Sequence, residues 1–319
     1  MNNMTREEIE NEILVGLYTE WENHTGGTVY TFFGRLDGVD EEYYTRVALG
    51  MERASLIDGV GKSMRCEIRA HGIIEAEARN LVPREKIEKY QYLRYLMLSA
   101  AATAFEERPD DEVNAADLIS QFSLNDTDFF NNSRFLADAG LLHFSNAWYF
   151  RITDLGIEQN RRWALLKSLE AEYAAVADLP PNTRGIQFQS LIARALASEG
   201  WNTNEGSRTS YEEMDIFIDK NGAYYLIECK WTNTPISTDA TSHLLAKLGR
   251  REGVRGILMS MAGFTAGAVT SVQDASHSKI ILLFGKGDIE QIINRPSSFD
   301  TLVAEKEREF VTRRNALWS

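Results

Sequence analysis

The chain has 319 residues, 44% of them hydrophobic and 25% charged, with a net charge of −13; this is the make-up of a globular chain long enough for two or three domains and does not indicate disorder. It has no run of about 18 apolar residues, and it opens on an acidic amphipathic stretch, MNNMTREEIENEILVGLYTE, where a secretory leader would be basic and then apolar; a cytoplasmic protein with no membrane partner is expected. The only cysteines, Cys66 and Cys229, lie far apart and outside any CxxC or Cys/His spacing, so they read as buried thiols and point to neither a disulfide framework nor a zinc site.

In chain order, residues 6–22 read as a helix. A short segment follows at Val29 to Phe33, then a helix from Asp40 to Ala54, strands at Leu56-Ile57-Asp58 and Cys66-Glu67-Ile68, and a closing stretch His71-Gly72-Ile73-Ile74-Glu75. Residues 113–157 read as helix, turn, helix and a two-stranded ribbon around Ser145-Asn146. The second of these helices starts at a cap, Asn125 or Asp126, and stops at Gly140; its ribbon strands are Leu141 to Phe144 and Trp148 to Ile152. This order resembles a winged helix-turn-helix module, and the parallel between IRAHGIIEAE (68–77) and ITDLGIEQ (152–159) suggests tandem copies, one over 1–82 and one over 83–178. Segment 125–138 offers Arg134 and three Asn against three Asp, a poor footprint for phosphates, so a protein-facing role competes with a DNA-facing one.

Arg161 to Val176 reads as a connecting helix, and Pro180-Pro181 prevents it from continuing, which sets the start of the last domain at 179. The charge divides at the same place. Residues 1–182 hold 18 Lys and Arg against 31 Asp and Glu, whereas residues 183–319 hold 16 of each. Domain 179–319 begins with a helix from Arg184 to Gly200 and continues as a hairpin about Lys220-Asn221, a helix from Asp239 to Arg250, a strand at 256–260, a helix from Thr265, a strand from Lys279 to Phe284 and a helix from Asp288 to Ile293. Together these make an α/β domain with a mixed central sheet. The tail 298–318 is amphipathic, with Phe299, Leu302, Val303, Phe310, Val311, Leu317 and Trp318, and is expected to pack on its own domain or a partner subunit.

Within the hairpin, MDIFIDKNGAYYLIECKW, the period of two sets Glu213, Asp215 and Phe217 on one face of the first strand and Leu226, Glu228 and Lys230 on one face of the second. Carboxylates inside apolar strands cost several kcal/mol unless paired or bound to metal. An edge-strand ion pair explains one Glu–Lys pair but not three charges. Asp215 and Glu228 suit Mg²⁺, with Mn²⁺ as a substitute, and the Lys230 amine can orient or deprotonate a water and stabilise charge on a phosphate. Lys247, Arg250, Arg251 and Arg255 form a local basic cluster suited to a DNA backbone.

With GIQFQSLIARALASEGW before the acidic strand, MDIFI and LIECKW at the site and GVRGILMSMAGFTAGAV after it, residues 184–293 resemble the Mrr-like (type IV restriction endonuclease-like) catalytic domain of the PD-(D/E)xK nuclease superfamily. The resemblance implies a Mg²⁺-dependent DNA endonuclease of restriction or phage defence, with Asp215 and Glu228 as metal ligands and Lys230 as the catalytic lysine. Many relatives carry Glu after the aromatic residue of the first helix; here Gln189 follows Phe188, a ligand through its carbonyl oxygen without charge. DNA is the implied partner, two chains acting together are expected for a duplex cut, and the acidic N-terminal domains suit a regulatory protein. The alternative is an inactive nuclease fold that serves as a DNA- or protein-binding regulator.

Overall fold

Glycines and capping residues break the chain into short amphipathic segments. The computed structural model, which describes residues 4–23, 31–32, 39–60, 65–109, 111–206, 208–209, 212–213, 215–275 and 279–317, assembles them into two compact units, Met1–Trp163 and Ala164–Ser319. Val29, Phe33, Met214 and Trp318, which the sequence reading uses, lie outside the described residues.

The first unit runs α1 (Arg6–Asn23), β1 (Thr31–Phe32), α2 (Glu41–Arg53), β2 (Ile57–Asp58), β3 (Arg65–Ile68), α3 (Ala70–Ala78) and α4 (Arg84–Glu107). It continues with β4 (Val113–Asn114), α5 (Ala115–Phe122), α6 (Asp126–Asp138), β5 (Leu142–Phe144), β6 (Tyr149–Ile152) and the start of α7 (Asp154–Val176). The sequence reading assigns no element to α4, although Tyr90, Leu93, Met97 and Ala101 bury a stripe at helical spacing. Where a closing stretch at 71–75 is expected, the chain forms helix α3.

The two halves of this unit repeat one pattern. The strand orders are β1-β3-β2 and β4-β6-β5, antiparallel throughout. In the first half, Leu56 O accepts the N–H of Arg69 at 3.0 Å, and in the second Leu141 O accepts that of Thr153 at 3.1 Å. The following helix crosses so close that a Cβ on Gly72 would lie 2.1 Å from Leu56 O, and one on Gly156 2.2 Å from Leu141 O. Only glycine fits at either crossing. Both halves share a single core that includes Ile9, Leu14, Met51, Ile73, Met97, Phe129, Leu136 and Phe150.

Helix α6 is capped by Asn125, which accepts from Asp128 N at 2.8 Å, and is followed by Gly140 at φ +72°. Its asparagines turn inward. Asn131 donates to Trp21 O at 2.6 Å and Asn132 accepts from Arg94 Nε at 3.1 Å, whereas Arg134 is exposed and pairs with Glu67. Arg94 in turn forms a buried ion pair with Glu77 at 2.9 Å.

In the second unit, Leu169 and Val176 of α7 enter the core. The two prolines do end α7, but they also start the next helix: Pro180 is the N-cap and Pro181 the first residue of α8 (Pro181–Ala197), where a missing N–H costs nothing. Then come β7 (Asn202–Glu205), β8 (Arg208–Thr209), β9 (Glu212–Glu213), β10 (Ile216–Lys220), β11 (Ala223–Lys230), α9 (Thr238–Gly249), β12 (Val254–Ser260), α10 (Ala266–Asp274), β13 (Ile281–Phe284), α11 (Lys286–Asn294) and α12 (Ser298–Arg313). The five-stranded sheet has the order β13-β12-β11-β10-β7; β11, β12 and β13 run parallel, and β10 is antiparallel to both β11 and β7. β11 is thus the central strand. From the tail, Phe299, Leu302, Val303 and Phe310 join the core of this unit.

Candidate active site

Register decides which charges meet. The hairpin turn is Asn221-Gly222, both at positive φ (51° and 81°), and not Lys220-Asn221 as the sequence reading has it. Lys220 therefore pairs with Ala223 and Ile216 with Ile227, which sets Asp215, one residue before β10, opposite Glu228. The reason is the backbone: Asn and Gly accept the left-handed conformation that a two-residue hairpin loop requires, and Lys does not.

Asp215 and Glu228 are buried, 8% and 6% exposed. The Asp215 Oδ2 accepts the N–H of Cys229 at 2.8 Å, and the Asp215 backbone carbonyl accepts from Gly206 N at 2.9 Å, so the residue is tied to the chain on both sides and its carboxylate to β11. Lys230 Nζ lies 3.7 Å from Asp215 Oδ2 and 3.3 Å from Glu228 Oε2. Burial opposes charge on Lys230, but Asp215 and Glu228 outweigh it and hold its pKa above the ordinary lysine value. Lys230 is accordingly an ammonium at neutral pH. Burial, reinforced by Asp215, pushes the Cys229 thiol well above its usual range, which leaves an inert side chain between two charged ones.

A further cation reaches the cluster. Lys247 Nζ contacts Glu228 Oε1 from helix α9, whose Leu244 and Leu248 are fully buried. Gly256 permits this approach: a Cβ there would sit 2.7 Å from Leu248 Cδ1 and 3.2 Å from Leu244 Cδ2. Sequence reasoning sets Lys247 among DNA-backbone contacts and misses its place beside Glu228. A signal exists in its position, three residues after Leu244 and one before Leu248, at the edge of the buried stripe.

The remaining candidates scatter. Gln189 on α8 is half-buried, and among the described residues no hydrogen bond joins its side chain to Asp215, Glu228 or Lys230. Its neighbour Phe188 packs edge-on against Trp231, ring centroids 5.1 Å apart, next to Lys230. Arg250 is exposed. Arg251 turns back to donate to Lys247 O at 2.7 Å. Arg255 pairs with Glu307 at 3.2 Å and lies opposite Tyr225, whereas Lys230 lies opposite Ser260. Five residues of strand separate the two positions, roughly 16 Å. Among the described residues no three His, Cys, Asp or Glu side chains form a metal-binding group, and the acidic donors that meet at Lys230 are Asp215 and Glu228.

Residues 182–291 match the family model for restriction endonuclease. The matched segment holds nearly all of α8, the five-stranded sheet and the whole charged cluster, and a helical N-terminal region followed by an α/β domain with a mixed five-stranded sheet fits a restriction endonuclease-like domain. Among solved structures, the protein of unknown function AF1548 is 20% identical, with 38% of this chain and 66% of that one covered and a TM-score of 0.28. The MspJI restriction endonuclease in complex with a 27-mer oligonucleotide is 16% identical, with 61% of this chain and 46% of that one covered and the same TM-score, 0.28. The chain spans slightly less than two thirds of the first structure and under half of the second. No curated protein matches it. Among the described residues, no helix is long and apolar enough to cross a membrane.

Proposed function

We propose that the protein is a divalent-metal-dependent DNA endonuclease of restriction or phage defence, with Asp215 and Glu228 as metal ligands and Lys230 as the catalytic lysine. The observation that carries this reading is the meeting of two buried carboxylates and one ammonium, Glu228 and Lys230 on the central strand and Asp215 immediately before its neighbour β10, in a segment that matches the restriction endonuclease family model. The donor set fits: Mg²⁺ and Mn²⁺ take hard oxygen ligands, and Mg²⁺ keeps several waters, so two carboxylates and a substrate phosphate complete a site. When bound, such a cation supplies positive charge at the phosphate under attack. Asp215 is held in place by the N–H of Cys229, and Lys230, half-exposed and protonated, presents its ammonium to the charge that develops on the phosphate. Gln189 offers a neutral oxygen, and Arg250 a contact to the DNA backbone.

The winged-helix-like modules over 1–82 and 83–178 select or regulate, in this reading, through a protein partner more than through DNA. Asn131 and Asn132 of α6 are spent on internal hydrogen bonds, and the outer face of α2 presents Glu41 and Glu42. Because one site per chain cuts one strand, a duplex cut calls for a homodimer.

Incubation of plasmid, methylated plasmid and RNA with Mg²⁺, Mn²⁺ or EDTA tests the assignment. The expected result is DNA cleavage with metal that disappears in EDTA, in Asp215→Ala and in Lys230→Ala. Equal rates in EDTA, or full activity in both variants, overturns it. A second reading, an inactive nuclease fold that acts as a regulator, is favoured by the uncharged Gln189 and by Lys247 seated on Glu228; it predicts duplex binding without cleavage in every cation.

A further inference from the structure

Both oxygens of Glu228 face ammonium groups, Oε2 that of Lys230 at 3.3 Å and Oε1 that of Lys247. Asp215, Glu228, Lys230 and Lys247 therefore form a cluster whose formal charges cancel without any metal. The two lysines are held differently. Lys230 bridges both carboxylates from the strand that carries Glu228. Lys247 comes from a separate helix, pairs with the Glu228 Oε1, and its side chain is 18% exposed.

A divalent cation and the Lys247 ammonium want the same lone pairs on Oε1 and repel each other at that distance. The Lys247 stem can swing without disturbing the helix, since α9 is anchored by Leu244 and Leu248 and a four-carbon chain has free rotors. Without Lys247, the metal-free site would leave two buried carboxylates against one ammonium, an arrangement that opposes folding.

We propose that Lys247 is an internal counter-cation that occupies Glu228 in the metal-free protein and is displaced from it when a divalent cation binds. The inference rests on the reading of Asp215 and Glu228 as metal ligands and assigns Lys247 a positioning role, that of a competitor which lets the domain fold before it is loaded. The displaced ammonium then stands beside the phosphate that the cation attracts.

Calorimetric titration with Mn²⁺ alone, on the full chain, tests the competition. Lys247→Met keeps an unbranched stem, and its affinity for Mn²⁺ should rise by about tenfold, because the cation no longer has to break the Lys247–Glu228 pair. Its melting temperature should fall in EDTA and recover in Mn²⁺. An affinity that is unchanged or lower overturns the inference, because Lys247 would then hold Glu228 in place for the metal. Should the variant not fold, the wild-type protein decides: limiting acetylation read by mass spectrometry should label Lys247 faster in Mn²⁺ than in EDTA, and equal or slower labelling overturns the inference. The two levels separate through Asp215→Asn. If the wild-type protein binds Mn²⁺ with a dependence on Asp215 and Lys247→Met gains nothing, this inference alone falls; if no Asp215-dependent binding exists, the metal-site reading falls and this inference with it.

Discussion

The Oδ2 of Asp215 accepts the backbone N–H of Cys229 at 2.8 Å, so the carboxylate is positioned by the central strand itself. Its aim therefore survives a change of charge. Asp215→Asn retains an oxygen acceptor for Cys229 and removes the negative charge, and should keep the fold while cleavage falls by about a hundredfold or more, as for loss of one preorganised electrostatic group. Circular dichroism with a plasmid assay checks this; a folded Asn variant that cleaves normally means Asp215 holds no metal.

Gln189→Glu adds a charged oxygen on α8, one residue after the Phe188 ring that packs against Trp231. Metal affinity is expected to rise and cleavage to quicken, because hard cations favour anionic ligands. Titration with Mn²⁺ reads the effect directly. A folded variant with unaltered affinity places position 189 outside the metal's reach.

Gly156→Ala and Gly72→Ala each push a methyl group into a carbonyl oxygen, 2.2 Å from Leu141 O and 2.1 Å from Leu56 O. Backbone cannot yield as a flexible side chain does, so each should destabilise the N-terminal unit by about 1–3 kcal/mol or more. Gly16, which meets nothing within 4 Å of an added Cβ, is the control: on an α1 helix its change to Ala should stabilise by up to about 1 kcal/mol. Urea unfolding of the three variants measures the difference.

A fragment of residues 164–319 carries 17 Lys and Arg against 19 Asp and Glu, nearly neutral beside the whole chain at −13. It should bind non-specific duplex at least as tightly as the full protein at low salt, and the gap should close as salt screens the repulsion. The fragment must start at Ala164 and not at Pro181, because Leu169 and Val176 belong to the core of the second unit. Markedly weaker binding by the fragment at low salt would assign DNA contact to the N-terminal unit.

Local chemistry alone determined much of this protein. The Asn125 cap and the glycine after α6, the hairpin with its charges at Asp215, Glu228 and Lys230, and the similarity of residues 68–77 to 152–159 are legible in the sequence because caps, turns and a period of two act within a few residues. What lies at long range was decided by the tertiary structure. The left-handed pair Asn221-Gly222 moves the turn by one residue and every cross-strand partner by two, which sets Asp215 against Glu228 and not Leu226, a choice that propensity leaves open at single-residue precision. The inward turn of Asn131 and Asn132 follows from Trp21 and Arg94, which are distant in sequence. Lys247 reaches Glu228 only because Gly256, on a third element, lets α9 lie close to the sheet; a contact made by three segments leaves no pattern in any one of them.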